Sequence, residues 1–467
     1  MLFNSYIYIF CFLPLAVVGY FLACRVGHRL GVAWLAASSV AFYGWWNPAY
    51  VPLLAVSVIV NHTAGRALSR RALAARDNRW PLTCAVAFNL LLLGVFKYAD
   101  FATENLNRLL SLTLPEPGIV LPLAISFFTF QQVRYVAECA RGTVREDDFT
   151  EYCLFVTFFP QLIAGPIVDH REMMPQFADP AGARPNWRNV AAGAQLFAVG
   201  LFKKAAVADT FAAWATLGFD HTPSPTMAEA WAAALSYTFQ LYFDFSGYTD
   251  MATGSALMLN IRLPANFDSP YRALDIRDFW RRWHITLSRF LREYLYFPLG
   301  GSRGGEVRAA RNVMITFLLG GLWHGAGWTF VAWGGLHGLG VVAHRMWERA
   351  GLRLPRALGW GVTFIFVCVC WVLFRAHSLA DAWRIVTAMF SGPWTGLAPS
   401  VCRTDTGAEF VWLAIAAALG GCLLLPSSTR IPETYRPTAA ALAIFATVWT
   451  VAFVNLSGYS EFIYFRF

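Results

Sequence analysis

The chain has 467 residues, 57% of them hydrophobic and 14% charged, with a formal net charge of +9. Length alone would allow two or three soluble domains, but this balance excludes them and points to one integral membrane domain over residues 1–467. No nucleic-acid-binding module accompanies the basic excess, which reads as membrane topology and contact with anionic lipid. Apolar spans are predicted over residues 6–24, 32–46, 81–96, 230–242, 360–374, 410–425 and 439–454. The first lacks the charged n-region and small-residue cleavage site of a signal peptide, so it is expected to stay in the mature chain. Basic residues then alternate between connections. His28 and Arg29 follow the first span and Arg66, Arg70, Arg71, Arg76 and Arg79 precede residues 81–96, with the uncharged turn Trp46-Asn47-Pro48 between them. Asp100, Glu104 and Glu116 come next, opposed by Arg108 alone. Because Lys and Arg collect in cytoplasmic loops, this pattern predicts an external N-terminus. It also predicts a cytoplasmic segment over about 262–311, which holds ten Arg and five acids.

Further along, two short apolar runs interrupted by Pro and Gly, 121–132 and 158–166, are expected to be re-entrant or broken helices whose freed backbone groups need partners inside the protein. In residues 230–260, Gln240, Asp244, Gly247, Met251 and Gly254 fall on one helical face and Asp250 on another. A carboxylate there is costly unless paired, so Asp244 or Asp250 should meet an Arg, a Trp N–H or backbone donors. Residues 277–294 read as one interfacial helix. Trp280, Trp283, Leu287, Phe290, Leu291 and Tyr294 share an aromatic side, beside a polar stripe of Arg277, Arg281, His284, Ser288 and Arg292.

A hairpin follows, with basic ends at Arg311 and at His344, Arg345 and Arg349, and an expected apex at Gly325-Ala326-Gly327. His324 lies 13 residues from Arg311, roughly 20 Å along a helix, inside a hydrocarbon core about 30 Å thick. An ionisable group at that depth is a functional candidate by default, and a neutral imidazole suits general-base work. Of the other histidines, His28, His62, His170 and His221 are read as solvated or hydrogen-bonded residues in or beside polar loops; His337, His344 and His377 stay secondary candidates. No metal site is expected, since His324, His337 and His344 do not stand i, i+4 from one another. The nine cysteines are odd in number and scattered, which gives no disulfide framework.

The ordered set FYGWWNPAY, LPLAISFFTFQQ, FFPQLIAGPI, DFSGYTDMATG, DFWRRWHITLSRFLREY, GGLWHGAGW, WVLFRAHSLADA and the terminal FIYFRF resembles the bacterial branch of the membrane-bound O-acyltransferase family, particularly its alginate O-acetyltransferases. The resemblance spans nearly the whole chain. It implies an all-α polytopic fold with tilted and re-entrant helices around a central tunnel, His324 as the catalytic histidine and His284 as the second motif position. The candidate tunnel or donor-binding residues are Asp244, Ser246, Asn266, Asp278, Arg277, Arg281, Ser288, Arg292 and Trp323. No permanently bound cofactor is implied; the donor is an acyl thioester, acetyl-CoA, arriving over the arginine face. A periplasmic SGNH-type acetyltransferase or other acetyl carrier is the expected partner, and a polysaccharide, most of all alginate, the eventual acceptor, with cellulose, peptidoglycan or teichoic acid as alternatives. The expected site of action is the bacterial inner membrane. From a different class, a transporter or flippase would use mid-membrane polar groups equally well.

Overall fold

A computed structural model describes residues 1–144, 148–394, 408–456 and 462–463, and every regular element among them is helical. The last four residues of the terminal FIYFRF motif lie outside the described residues. Among the described residues, five helices are long and apolar enough to cross a membrane: Tyr8–Val26, Pro48–Leu73, Arg79–Leu110, Trp187–Asp220 and Arg356–Arg375. A sixth arises if Phe410–Leu424 and Ser428–Thr434, bent by 40°, form one span. The protein is therefore an all-α polytopic membrane protein. The expected spans at 32–46 and 439–454 are the shorter helices His28–Gly44 and Ala439–Val454. The expected span at 230–242 belongs to Met227–Met258, a core helix buried along most of its length.

Two compact units make up the chain, both discontinuous in sequence. One comprises Met1–Phe197, Thr249–Pro264 and Thr434–Leu442; the other comprises Ala198–Tyr248, Ala265–Glu433 and Ala443–Phe467. In the first, apolar helices are tied by buried polar contacts. Asn61 and Asn89 exchange amide hydrogen bonds at 3.1 and 2.6 Å, and Arg134 pairs with Asp169 in the core. The run at 158–166 is broken as expected. Phe149–Thr157 stops at Phe158, whose ψ of 108° leaves the helix, and Phe159–Leu162 restarts it. Freed groups find local partners: Phe159 N–H donates to Ser39 Oγ at 3.1 Å, and Gln161 Nε2 donates to the Phe155 carbonyl at 2.6 Å. His62 corrects the loop reading, because it sits inside Val51–Leu73, buried against Phe149 and Tyr152.

Candidate active site

The candidate residues gather in the second unit, around two helices that form the expected hairpin. Glu306–His324 ends one residue before Gly325, and Trp328–Arg349 begins just after Gly327, so the break falls at the expected apex. What holds the arms together is the absence of side chains. A Cβ on Gly321 would lie 2.3 Å from the Phe330 carbonyl oxygen, and one on Gly334 would lie 2.2 Å from that of Phe317. Backbone meets backbone, as small residues permit between membrane helices. Gly334→Ala is expected to splay the arms and cut activity at least tenfold at normal membrane abundance. Wild-type activity in that variant would show that the close approach is dispensable.

The first arm thus delivers His324 into a nearly closed aromatic setting, 4% exposed, with ring centroids of Trp323 at 4.9 Å, Trp333 at 5.1 Å and Phe374 at 5.3 Å. His284 stands 6.4 Å away, ring to ring. Trp328, in contrast, projects outward and is half exposed.

His284 reaches this place by a route that departs from the expected continuous helix. Residues 277–294 are broken into Ile276–Arg282 and Ile285–Leu291, and His284 between them is left-handed, with φ 43° and ψ 55°. For a residue with a Cβ this conformation costs on the order of 1–3 kcal/mol unless its surroundings impose it. Asn266 imposes it. Its backbone carbonyl accepts the Ile285 N–H at 2.9 Å; its Oδ1 accepts the Thr286 N–H at 3.3 Å, the Thr286 hydroxyl at 2.9 Å and His284 Nδ1–H at 3.0 Å. The backbone donor at Thr286 fixes which end of the Asn266 amide is oxygen, so Nδ1 carries the proton and Nε2 is the basic nitrogen. His284 and Trp283 are therefore core residues, 0% and 2% exposed, not members of an exposed polar stripe and an acyl-facing aromatic side.

Burial pulls the His284 imidazole down to about 3. The unfolded chain then binds more protons than the folded one below about pH 6.5, so this residue withdraws stability as pH falls through that value towards 3. His284→Asn, which tolerates the left-handed backbone, is expected to flatten the acid side of the thermal-stability profile in detergent. An unchanged profile would remove His284 as its source.

The rest of the predicted polar stripe holds. Arg277, Arg281, Ser288 and Arg292 line a cavity of about 620 Å³ that also reaches His324 and Trp333. Arg345 and Arg349, from the end of the second arm, line it too, and Trp333 precedes Arg349 by 16 residues, or ~24 Å of helix. Sequence reasoning missed these two as cavity groups, although their spacing from the apex is visible in the chain. Arg277 is paired with Glu348, while Arg345 and Arg349 both bind Glu306, at 2.9 and 2.5 Å. Neither Arg281 nor Arg292 has a carboxylate partner among the described residues.

Other candidates serve as framework. Asp278 binds Arg282 at 2.9 Å and does not line the cavity. Ser246 is buried on Met227–Met258. Asp244 meets a lysine where an arginine was expected: Lys204 Nζ lies 2.7 Å from Asp244 Oδ1 and 2.8 Å from Asp209 Oδ1. The second Asp244 oxygen accepts the Ile463 N–H at 2.9 Å, so the expected backbone donor is present as well. Its neighbour Phe245 touches the His284 ring, at 4.8 Å.

Residues 123–380, more than half of the chain, match the profile described as MBOAT, membrane-bound O-acyltransferase family. A peptidoglycan O-acetyltransferase of Helicobacter pylori is 45% identical over 420 residues, covering 83% of this chain and 80% of its own. A Pseudomonas putida protein named probable alginate O-acetylase is 36% identical over the full length of both. A teichoic acid D-alanyltransferase of Bacillus subtilis is 24% identical over 56% of this chain and 70% of its own.

Proposed function

The chain belongs to the membrane-bound O-acyltransferase family and is an acyltransferase, and on that premise we propose that it carries an acetyl group from cytoplasmic acetyl-CoA to a hydroxyl acceptor across a bacterial inner membrane. Family membership sets aside the transporter alternative. The observation that carries the proposal is a cavity that joins a guanidinium cluster to the buried His324. Arg345 and Arg349 stand roughly 18 and 24 Å along the helix from Trp333, the ring packed on His324, so a donor whose anion sits beside them needs a long arm between its phosphates and its acyl carbon, as a pantetheine thioester has. Arg281 and Arg292, which have no carboxylate partner among the described residues, are the guanidiniums best placed to take the phosphates.

At the apex, His324 removes the proton from the acceptor hydroxyl as its oxygen attacks the thioester carbonyl, then returns that proton to the departing thiolate. His284 has a different task. Its Nδ1–H is committed to Asn266 and its Nε2 carries the lone pair, so it orients an amide N–H of the donor arm or the S–H of the thiol once released. With the N-terminus periplasmic, the acceptor approaches from the periplasm: a serine or carrier group on an SGNH-type partner, or the polymer itself.

An alginate-type exopolysaccharide is the first acceptor reading, and peptidoglycan is the second, favoured by the 45% identity to the Helicobacter pylori enzyme. A deletion strain complemented with wild type separates them by O-acetyl content of the exopolysaccharide and of the peptidoglycan. Restoration in one polymer assigns it; restoration in neither contradicts both. Arg281→Gln together with Arg292→Gln should raise the apparent KM for acetyl-CoA about tenfold or more with little change in kcat. An unchanged KM would remove these residues from the docking surface.

A further inference from the structure

We infer that His337 is a positioning residue for the donor channel, acting through Trp280 to fix the wall along which the thioester arm runs to His324; this rests on the acyl-transfer reading above. His337 lies one helical turn past Trp333 on Trp328–Arg349 and is fully buried. Its Nδ1 accepts the indole N–H of Trp280 at 3.2 Å, and Trp280 comes from the separate helix Ile276–Arg282. Both Trp280 and Trp333 line the cavity that ends at His324. The rings stand in sequence: Trp280 to His337 at 5.0 Å, His337 to Trp333 at 4.9 Å, and Trp333 to His324 at 5.1 Å. One imidazole therefore sets the relation between a channel wall on the arginine-bearing helix and the tryptophan packed on the catalytic candidate.

Stability alone does not account for a histidine here. The Trp280 indole N–H is only a donor, so Nδ1 must be the acceptor and the imidazole proton resides on Nε2. Nε2 is buried and has no hydrogen-bond partner among the described residues. Its surroundings are aromatic: Phe279 is parallel to it within 9°, and Phe366 meets it edge-on at 5.7 Å. In such a box an apolar side chain would avoid a buried N–H that goes unsatisfied. What the imidazole supplies and an apolar side chain cannot is an uncharged acceptor aimed at Trp280, which holds a large flat side chain in one orientation as substrate-positioning groups must.

The test compares wild type, His337→Leu, His337→Asn, Trp280→Phe and the double variant His337→Leu with Trp280→Phe, in inverted membrane vesicles from the native host, by acetyl-CoA-dependent release of CoA. His337→Leu is expected to raise the apparent KM for acetyl-CoA about tenfold, to keep kcat within about twofold, and to leave the thermal midpoint in detergent no lower than that of wild type. His337→Asn, whose amide oxygen can accept the indole N–H, should recover most of the KM. The double variant should be no worse than either single one, because both remove the same contact. A fall in kcat at unchanged KM, a loss traced to lower stability, or additive effects in the double variant would each overturn the positioning role. Wild-type vesicles that release no CoA would overturn the acyl-transfer reading itself, and with it this one, before any variant is compared.

Discussion

Replacing His324 with alanine is expected to abolish acetyl transfer while the protein stays in the membrane at normal abundance. A positioned general base contributes on the order of 10²- to 10⁴-fold in rate, and in this cavity no second imidazole can take over. His284 is the nearest, 6.4 Å away, but Asn266 holds its Nδ1–H and the turn holds its backbone. The substitution also removes a ring packed against Trp323, Trp333 and Phe374, so alanine alone would mix chemistry with packing. His324→Gln keeps a polar side chain of similar reach without a basic nitrogen. Loss of CoA release in both variants, with normal abundance and an acetyl-CoA KM near that of wild type in any residual turnover, supports the base assignment. Turnover above a tenth of wild type in the glutamine variant would refute it.

The largest effect on stability is expected from Lys204→Met. Lys204 and Asp244 are 4% and 2% exposed, and removing the cation leaves Asp244 buried with its backbone bond to Ile463 but no countercharge. Breaking one side of a buried pair costs about 3–5 kcal/mol, whereas replacing both partners by apolar groups is often neutral. The single variant should therefore lose most of its folded yield, and Lys204→Met combined with Asp244→Leu should recover much of it. Recovery of folding need not bring recovery of activity. Asp244 also anchors Ile463, and the adjacent Phe462 stacks on Tyr248 at 4.4 Å and meets Phe245, which touches His284. Thermal unfolding of the three variants in detergent checks the order; a single variant as stable as wild type would show that the pair is not what holds this region.

Periodicity and charge make the hairpin legible in the amino-acid sequence. The basic flanks at Arg311 and Arg345, the glycines at the apex and the depth of His324 are local features, and the helices form where these place them. The arginine stripe is legible for the same reason, since Arg277, Arg281, Ser288 and Arg292 recur at helical spacing and do line the cavity. That spacing misleads at His284. A helical wheel assumes unbroken helix, no Pro or Gly marks the turn, and the left-handed residue is held by Asn266, 18 residues earlier. Such a constraint is a long-range hydrogen bond, invisible to periodicity. Lys204 is hidden differently: it lies in the apolar sequence LFKKAAVA, where the backbone takes a π-helical turn over Lys203–Ala208. A buried carboxylate on Met227–Met258 calls for a cation, but nothing local says which one, and sequence reasoning favours arginine. Asp278 stands beside the stripe in sequence, yet its carboxylate is taken by Arg282 one turn later.

The central claim is that a thioester enters from the arginine-lined, cytoplasmic side and is cleaved at His324. The most direct test is CoA release from acetyl-CoA by inverted and by right-side-out vesicles carrying wild type or His324→Gln at matched abundance. Release confined to inverted wild-type vesicles is the expected result. Equal release from both orientations, or release that survives the substitution, would contradict it.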